Sequence, residues 1–238
     1  MRSFLRASLV TVLLSTAAMP AFAANAQGEE YFKVRERAQV VTAARGAGVL
    51  SIVDGAHAPG HVPVDLGALG ADIYAGNCHK WLCAPKGAGV LWARPEHQEW
   101  IEPLVVSWGY HEDADFGERH GWQGTRDPSA YLTVPTAIAA HASFDLGAMR
   151  ALADAAEERL GRLGLRPLRG ERAPFMRALT IRVDDPTVFA QRLFDEQRVE
   201  IPVYAWEGLT LLRVSIGPYI DEPDVERLVA AVRDTLVG

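Results

Sequence analysis

The chain has 238 residues, a formal net charge of −6, 49% hydrophobic and 23% charged residues, and two cysteines. That length fits one large domain or a medium domain with a small one, and the mix is that of an ordinary globular protein. The acidic balance, with no long run of one charge sign, argues against a nucleic-acid partner, and two cysteines are too few for a disulfide framework.

At the N-terminus, Arg2 and Arg6 precede an apolar run over residues 7–18, and Ala21-Phe22-Ala23 follows as a small-x-small cleavage signature. These are the three parts of a secretory signal peptide, so residues 1–24 are set apart from the fold. The run is shorter than the roughly 20 residues that span a bilayer, and Arg2 and Arg6 are not adjacent, so no twin-arginine signal is supported. A used signal implies a periplasmic or secreted chain with no membrane segment after cleavage. An apolar tail that is not a signal is the alternative and implies a cytoplasmic one.

Residues 29–45 read as a helix, with Tyr31, Val34, Ala38 and Val41 at helical spacing and Gly46 and Gly48 as the stop. Residues 49–53 form a continuous apolar run rich in β-formers, a buried strand ending at Asp54-Gly55. A helix feeding such a strand suggests an α/β sheet with parallel strands. Residues 65–69 make a short helix, 72–75 a strand, Pro85-Lys86-Gly87 a turn and 88–92 a further strand. A polar, Gly-rich loop follows through Gly109 to Gly124. Asp127-Pro128-Ser129 has the grammar of a helix start, a capping residue and then proline in the first turn. Apolar positions run on over residues 131–142, and a second helix covers residues 146–163.

The tail reads as a strand over 178–183, a helix over 187–197, strands over 199–203 and 210–215, and a helix over 223–236. Val225, Leu228, Val229, Val232 and Leu236 share one face of that last helix. This order suits a small α+β domain, with its boundary near residues 167–174. The expected organisation is a large α/β domain over residues 25–168 and a small C-terminal domain over residues 169–238.

The residues that bear chemistry fall in two segments, Asp54-Gly55-Ala56-His57-Ala58-Pro59-Gly60 and Gly76-Asn77-Cys78-His79-Lys80-Trp81-Leu82-Cys83-Ala84-Pro85-Lys86-Gly87. Asp54 ends an apolar strand, and in parallel α/β sheets ligands bind at the carboxyl ends of strands. Taken alone it reads equally well as a turn aspartate. A lone lysine is usually a solvated surface charge, but Lys80 stands among His79, Trp81, Pro85 and Gly87 in a stiff, semi-buried turn. A lysine becomes a nucleophile when its pKa is lowered or when it is held as an imine. Cys78, His79 and Cys83 could suggest a metal site; small buried cysteines are the better reading, and no metal is expected.

Together the two segments resemble the class V aminotransferase family of fold-type I pyridoxal-phosphate enzymes, nearest its isopenicillin N epimerase-like branch. The likeness runs from about Val41 to the C-terminus. The resemblance implies a partial transferase large domain, with a mixed, mostly parallel sheet, and a small α+β domain. It implies pyridoxal 5′-phosphate held by Lys80 as a Schiff base, with Lys80 also moving the substrate proton. Asp54 would pair with the protonated pyridine nitrogen, and His57 would lie by the ring's phenolic oxygen, where relatives often carry glutamine. Asn77 and His79 would approach the phosphate. Thr125, in Gly124-Thr125-Arg126, would reach the phosphate of a partner subunit, which implies a homodimer. Arg213, ahead of Tyr219, would bind the substrate carboxylate as a two-bond fork; Ile220 stands where relatives carry asparagine.

The same likeness implies that a stretch on the order of a hundred residues, a small domain's worth, is missing between residue 39 and residue 41. That stretch would hold a phosphate-binding helix start, and residues 25–50 offer no Gly- or Ser-rich loop in its place. Cysteine desulfurase chemistry needs a nucleophilic cysteine well after the lysine, and none follows Cys83. Aminotransferase, epimerase and lyase chemistry on an amino acid or amino-acid-derived amine stay open. The alternative is a truncated, inactive remnant or interaction module of the family.

Overall fold

The computed structural model describes residues 34–168 and 172–237. They divide into two compact units, one over Val34–Ala142 and one from Ser143 onward. The leader read at residues 1–24 and the first turn of the expected opening helix lie outside the described residues. No helix among the described residues is long and apolar enough to cross a membrane.

The first unit opens with helix α1 (Val34–Gly46), which ends where Val49 N–H closes onto the Ala44 carbonyl. That closure delays strand β1 to Ile52–Gly55, later than the apolar run alone predicts. Helix α2 (Leu66–Leu69) starts at Asp65, whose side chain accepts from the Ala68 amide, a standard N-cap. Strand β2 (Ile73–Asn77) pairs parallel with β1, and strand β3 (Gly89–Ala93) pairs antiparallel with β2. The sheet is therefore mixed, in the order β1-β2-β3.

Paired residues share a sheet face, and neighbours along a strand alternate. Val53 and Tyr74 lie on one face and pack with Val41, Leu69 and Ala71, with Leu66 and Trp92 at the margin. Asp54, Ala75 and Leu91 are in register on the other face, and Asn77 and Gly89 continue it. Beyond β3 come short helices α3 (Pro95–Gln98), α4 (Phe116–Gly121), α5 (Ser129–Leu132) and α6 (Val134–His141). Helix α4 lies in the segment read from sequence as loop. Its signal was present: Asp115 accepts from the Glu118 amide and the Glu118 carboxylate accepts from the Asp115 amide, a capping box.

The second unit begins with helix α7 (Leu146–Arg162) and a two-residue strand β4 (Arg166–Pro167). Strand β5 (Met176–Thr180), helix α8 (Pro186–Gln197), strands β6 (Val203–Trp206) and β7 (Leu209–Ser215) and helix α9 (Glu222–Val237) follow. Its sheet is antiparallel throughout, in the order β4-β5-β7-β6. Helix α7 packs on β4, β5, β7 and α9, so the compact division falls ahead of it. The described residues 167–168 and 172–174, at the two ends of the stretch where the sequence suggests a boundary, lie within this unit. Arg177 is buried on the helix-facing side, donating to the Ala173 and Met176 carbonyls and pairing with Asp154 of α7 at 2.6 Å.

Candidate functional site

The carboxyl ends of β1 and β2 lie side by side, because the two strands run parallel with Gly55 opposite Gly76. Each continues into one of the two chemistry-bearing loops. Asp54 is half-buried on β1, where its Oδ1 accepts from the Ala56 amide at 2.8 Å. Its Oδ2 has no hydrogen-bond partner among the described residues. The carboxylate is thus oriented by its own backbone and keeps one oxygen for a cationic or N–H partner.

Lys80 is half-buried in the excursion between β2 and β3. The excursion is pinned at its base by the Asn77–Gly89 pair and by Cys78 N–H to the Ala88 carbonyl at 3.1 Å. Inside it, Ala84 N–H reaches the Cys78 carbonyl at 3.0 Å and Cys83 N–H the Lys80 carbonyl at 3.1 Å. Cys78, Leu82, Ala84 and Ala88 form its core, against which Ala130 of α5 and Val134 and Ala137 of α6 pack. Burial pushes the Cys78 thiol up, which suits a core residue and not a nucleophile. Among the described residues no group of three or more His, Cys, Asp or Glu side chains is placed to hold a metal ion.

The loop after β1 docks on this turn almost backbone to backbone. A Cβ at Gly60, where φ is +78°, would lie 2.5 Å from the Leu82 nitrogen, so only glycine fits there. The His61 ring, 4% exposed, stacks on Trp81 with centroids 4.0 Å apart. Trp81 Nε1–H donates to His57 Nδ1 at 3.2 Å. His141, at the end of α6, donates from Nε2 to the Gly60 carbonyl at 2.7 Å. Sequence reasoning missed these braces. Trp81 was in view as a motif residue, but His61 lies just past the motif that ends at Gly60, and His141 is 81 positions from its partner and carries no local signal.

Of the residues singled out from sequence, the structure brings Asp54, His57, Asn77, His79 and Lys80 to one edge of one sheet. Asn77 ends β2, and its side chain makes no hydrogen bond among the described residues. His79 Nδ1 lies 3.1 Å from the Ala88 carbonyl, which can only accept, so that nitrogen carries a proton. Thr125 is exposed on the loop before α5 and makes no hydrogen bond among the described residues. Arg213 belongs to the second unit, on β7, and its Nε is buried with no hydrogen-bond partner among the described residues. Burial pushes the Tyr204 phenol up, and nearby Arg213 partly offsets the rise.

A mixed α/β sheet with a lysine turn and an oriented carboxylate at the ends of neighbouring parallel strands is of the class of α/β folds in which ligands bind at strand termini. The class V aminotransferase profile matches residues 22–163. The isopenicillin N epimerase of Amycolatopsis lactamdurans is 39% identical over 213 residues, 80% of this chain and 54% of that protein. The isopenicillin N epimerase of Streptomyces clavuligerus is 34% identical over 224 residues, 84% of this chain and 56% of that protein. Among solved structures, the cysteine desulfurase CsdA of Escherichia coli superposes with a TM-score of 0.71 at 26% identity, covering 85% of this chain and 55% of that one.

The chain belongs to the class V aminotransferase family, whose cofactor is pyridoxal 5′-phosphate, and it is similar to the isopenicillin N epimerases within that family. It spans about half the length of the curated relatives it matches.

Proposed function

We propose that the joined ends of β1 and β2 hold pyridoxal 5′-phosphate and serve proton transfer at the α-carbon of an amino acid or amino-acid-derived amine, as an aminotransferase or epimerase. The observation that carries this reading is the docking of the two loops: the Asp54–His57 loop and the Lys80 turn are fastened to each other through Trp81 and Gly60. The residues fit the group. Asp54 has one oriented carboxylate oxygen without a partner among the described residues, which suits a pyridinium N–H. Lys80 supplies the amine for the aldehyde, and His57 a polar ring beside it. Bound, the cofactor supplies an electron sink for charge developing at the substrate's α-carbon.

The chain's own residues divide the remaining work. Lys80 carries the cofactor and moves the proton. Asn77 offers an amide to the phosphate. His79 can donate to that phosphate only from Nε2, and only when its ring is doubly protonated, because Nδ1–H is engaged by Ala88. Arg213, with its unsatisfied Nε, is assigned to a substrate carboxylate. Thr125, exposed and without a hydrogen bond among the described residues, is assigned to the phosphate of a second copy, so the active form is a homodimer. We assign the leader at residues 1–24 to export, which makes the mature chain periplasmic or secreted.

The exposure of Leu104, Val106 and Trp108 favours a second reading, an interaction module that keeps the family's fold without its chemistry. One experiment separates the two. Purified protein is mixed with pyridoxal 5′-phosphate, its absorbance recorded, and the adduct reduced with borohydride and mapped by mass spectrometry. The catalytic reading expects a visible band and a modified Lys80, with complete loss of both in Lys80→Ala. A band unchanged by that substitution, or no adduct at all, leaves only the interaction module.

A further inference from the structure

Trp81 does more than pack. Its indole nitrogen is a donor and never an acceptor. At 3.2 Å from His57 Nδ1 it therefore requires a lone pair on that nitrogen. The His57 ring is then neutral, with its proton on Nε2. The indole is held in place for this by three contacts already described: the stack of His61 on its face, the close approach of Gly60 to the backbone of Trp81 and Leu82, and the bond from His141 to the Gly60 carbonyl.

The same construction occurs at the other end of the sheet. There Trp100 Nε1–H donates to His97 Nδ1 at 3.4 Å, and His97 Nε2 lies 3.4 Å from the Asp72 carboxylate. In that case the fixed histidine presents its Nε2 proton to an oxygen acceptor.

We propose that Trp81 is a positioning residue that fixes His57 as an Nε2–H donor, so that His57 takes an anionic or phenolic oxygen of the bound ligand and cannot serve as an acceptor there. This rests on the proposed function, in which that oxygen is the phenolic oxygen of pyridoxal 5′-phosphate. It explains how a histidine does the work of a glutamine. An amide presents a donor in either case, whereas an imidazole does so at a given nitrogen only if its tautomer is set from behind.

The test begins on the full chain without cofactor, with its histidines labelled with nitrogen-15 and His57 assigned by comparison with His57→Gln. Long-range proton–nitrogen correlation is expected to show His57 in the Nε2–H form. In Trp81→Phe, which keeps an aromatic ring for His61 to stack on, an Nδ1–H population is expected to appear at His57 only. Cofactor titration then separates positioning from packing. Trp81→Phe should raise the Kd for pyridoxal 5′-phosphate about fivefold, the worth of roughly one hydrogen bond. In the His57→Gln background the same substitution should change it little, because the donor there no longer depends on the indole.

An Nδ1–H form in the unaltered chain overturns the proposal, and so does an equal loss of affinity in both backgrounds. Failure of Lys80 to be modified sinks the proposed function instead. It is read separately, by reduction and mass mapping.

Discussion

Leu160, Leu179, Leu193, Leu212 and Val232 of the C-terminal unit are wholly shielded from solvent, whereas Leu104, Trp108, Leu132 and Ile138 of the N-terminal unit are more than half exposed. One unit is a four-stranded antiparallel sheet with amphipathic helices laid on it; the other is a three-stranded mixed sheet whose second face carries Asp54, Ala75 and Asn77. The contrast teaches where order comes from in each. In the C-terminal unit apolar contact fixes the elements, and the ion pairs follow it. In the N-terminal unit a few directed polar contacts fix the loops that matter: Trp81 to His57, His141 to Gly60, and Ser51 to Asp72.

That contrast can be broken by substitution. The largest effect after loss of the Lys80 adduct is expected from Leu179→Ala. A fully buried leucine truncated among helices leaves a cavity and should cost about 3 kcal/mol in urea unfolding. A cost under about 1 kcal/mol would mean that the C-terminal core is looser than its burial indicates.

Gly60→Ala comes next. It buries almost no new surface, yet it drives a methyl group into the backbone of residues 81 and 82 and strains a positive φ. A loss of about 2 kcal/mol is expected, together with weaker cofactor retention. Normal retention would show that the two loops need not touch.

The smallest effect depends on pH and lies at the far end of the same sheet. Asp72 is buried, which by itself pushes its carboxyl up. Hydrogen bonds from the Ser51 hydroxyl and amide and from His97 outweigh burial and hold it below the ordinary carboxylate range. Arg45 and Arg94 lie 3.4 and 3.7 Å from its Oδ1. A carboxyl whose folded pKa is lowered stabilises the fold fully above its unfolded value and loses that contribution as pH falls through the folded one. Asp72→Asn should therefore cost about 1 kcal/mol at neutral pH, and the gap in melting temperature should close as the pH falls below about 4. A gap that persists at low pH would assign the effect to packing.

Much of the fold was legible because most elements carry their own signals. The periodicity of residues 146–163 and 223–236 gave α7 and α9 to within a residue or so, and Asp65 and Asp185 mark helix starts by capping. Strand edges were less legible. The run at residues 49–53 is apolar except for Ser51, but residue 49 belongs to the helix exit, and pairing with β2 moves the strand onto Asp54 and Gly55. The same holds for residues 199–203, where the paired strand begins only at Val203.

At the site, residue types and their order pointed to Asp54, His57 and Lys80. The braces that hold them came only with the fold, since Trp81–His57 and His141–Gly60 join positions 24 and 81 apart. The Asp72 cluster was missed for a related reason. One aspartate at a strand start looks like any other until Arg45, Arg94 and His97 converge on it.

The antiparallel course of β3 has a consequence for how the lysine comes to rest. Because β3 turns back beside β2, the segment bearing Lys80 is closed by residues 77 and 89, only twelve positions apart, and not by a crossover from a distant strand. Loops of that length close on a sub-microsecond timescale, and contacts of low sequence separation form early. The amine's immediate surroundings can therefore assemble before the parallel pairing with β1, which must wait for a longer chain closure to bring Asp54 alongside.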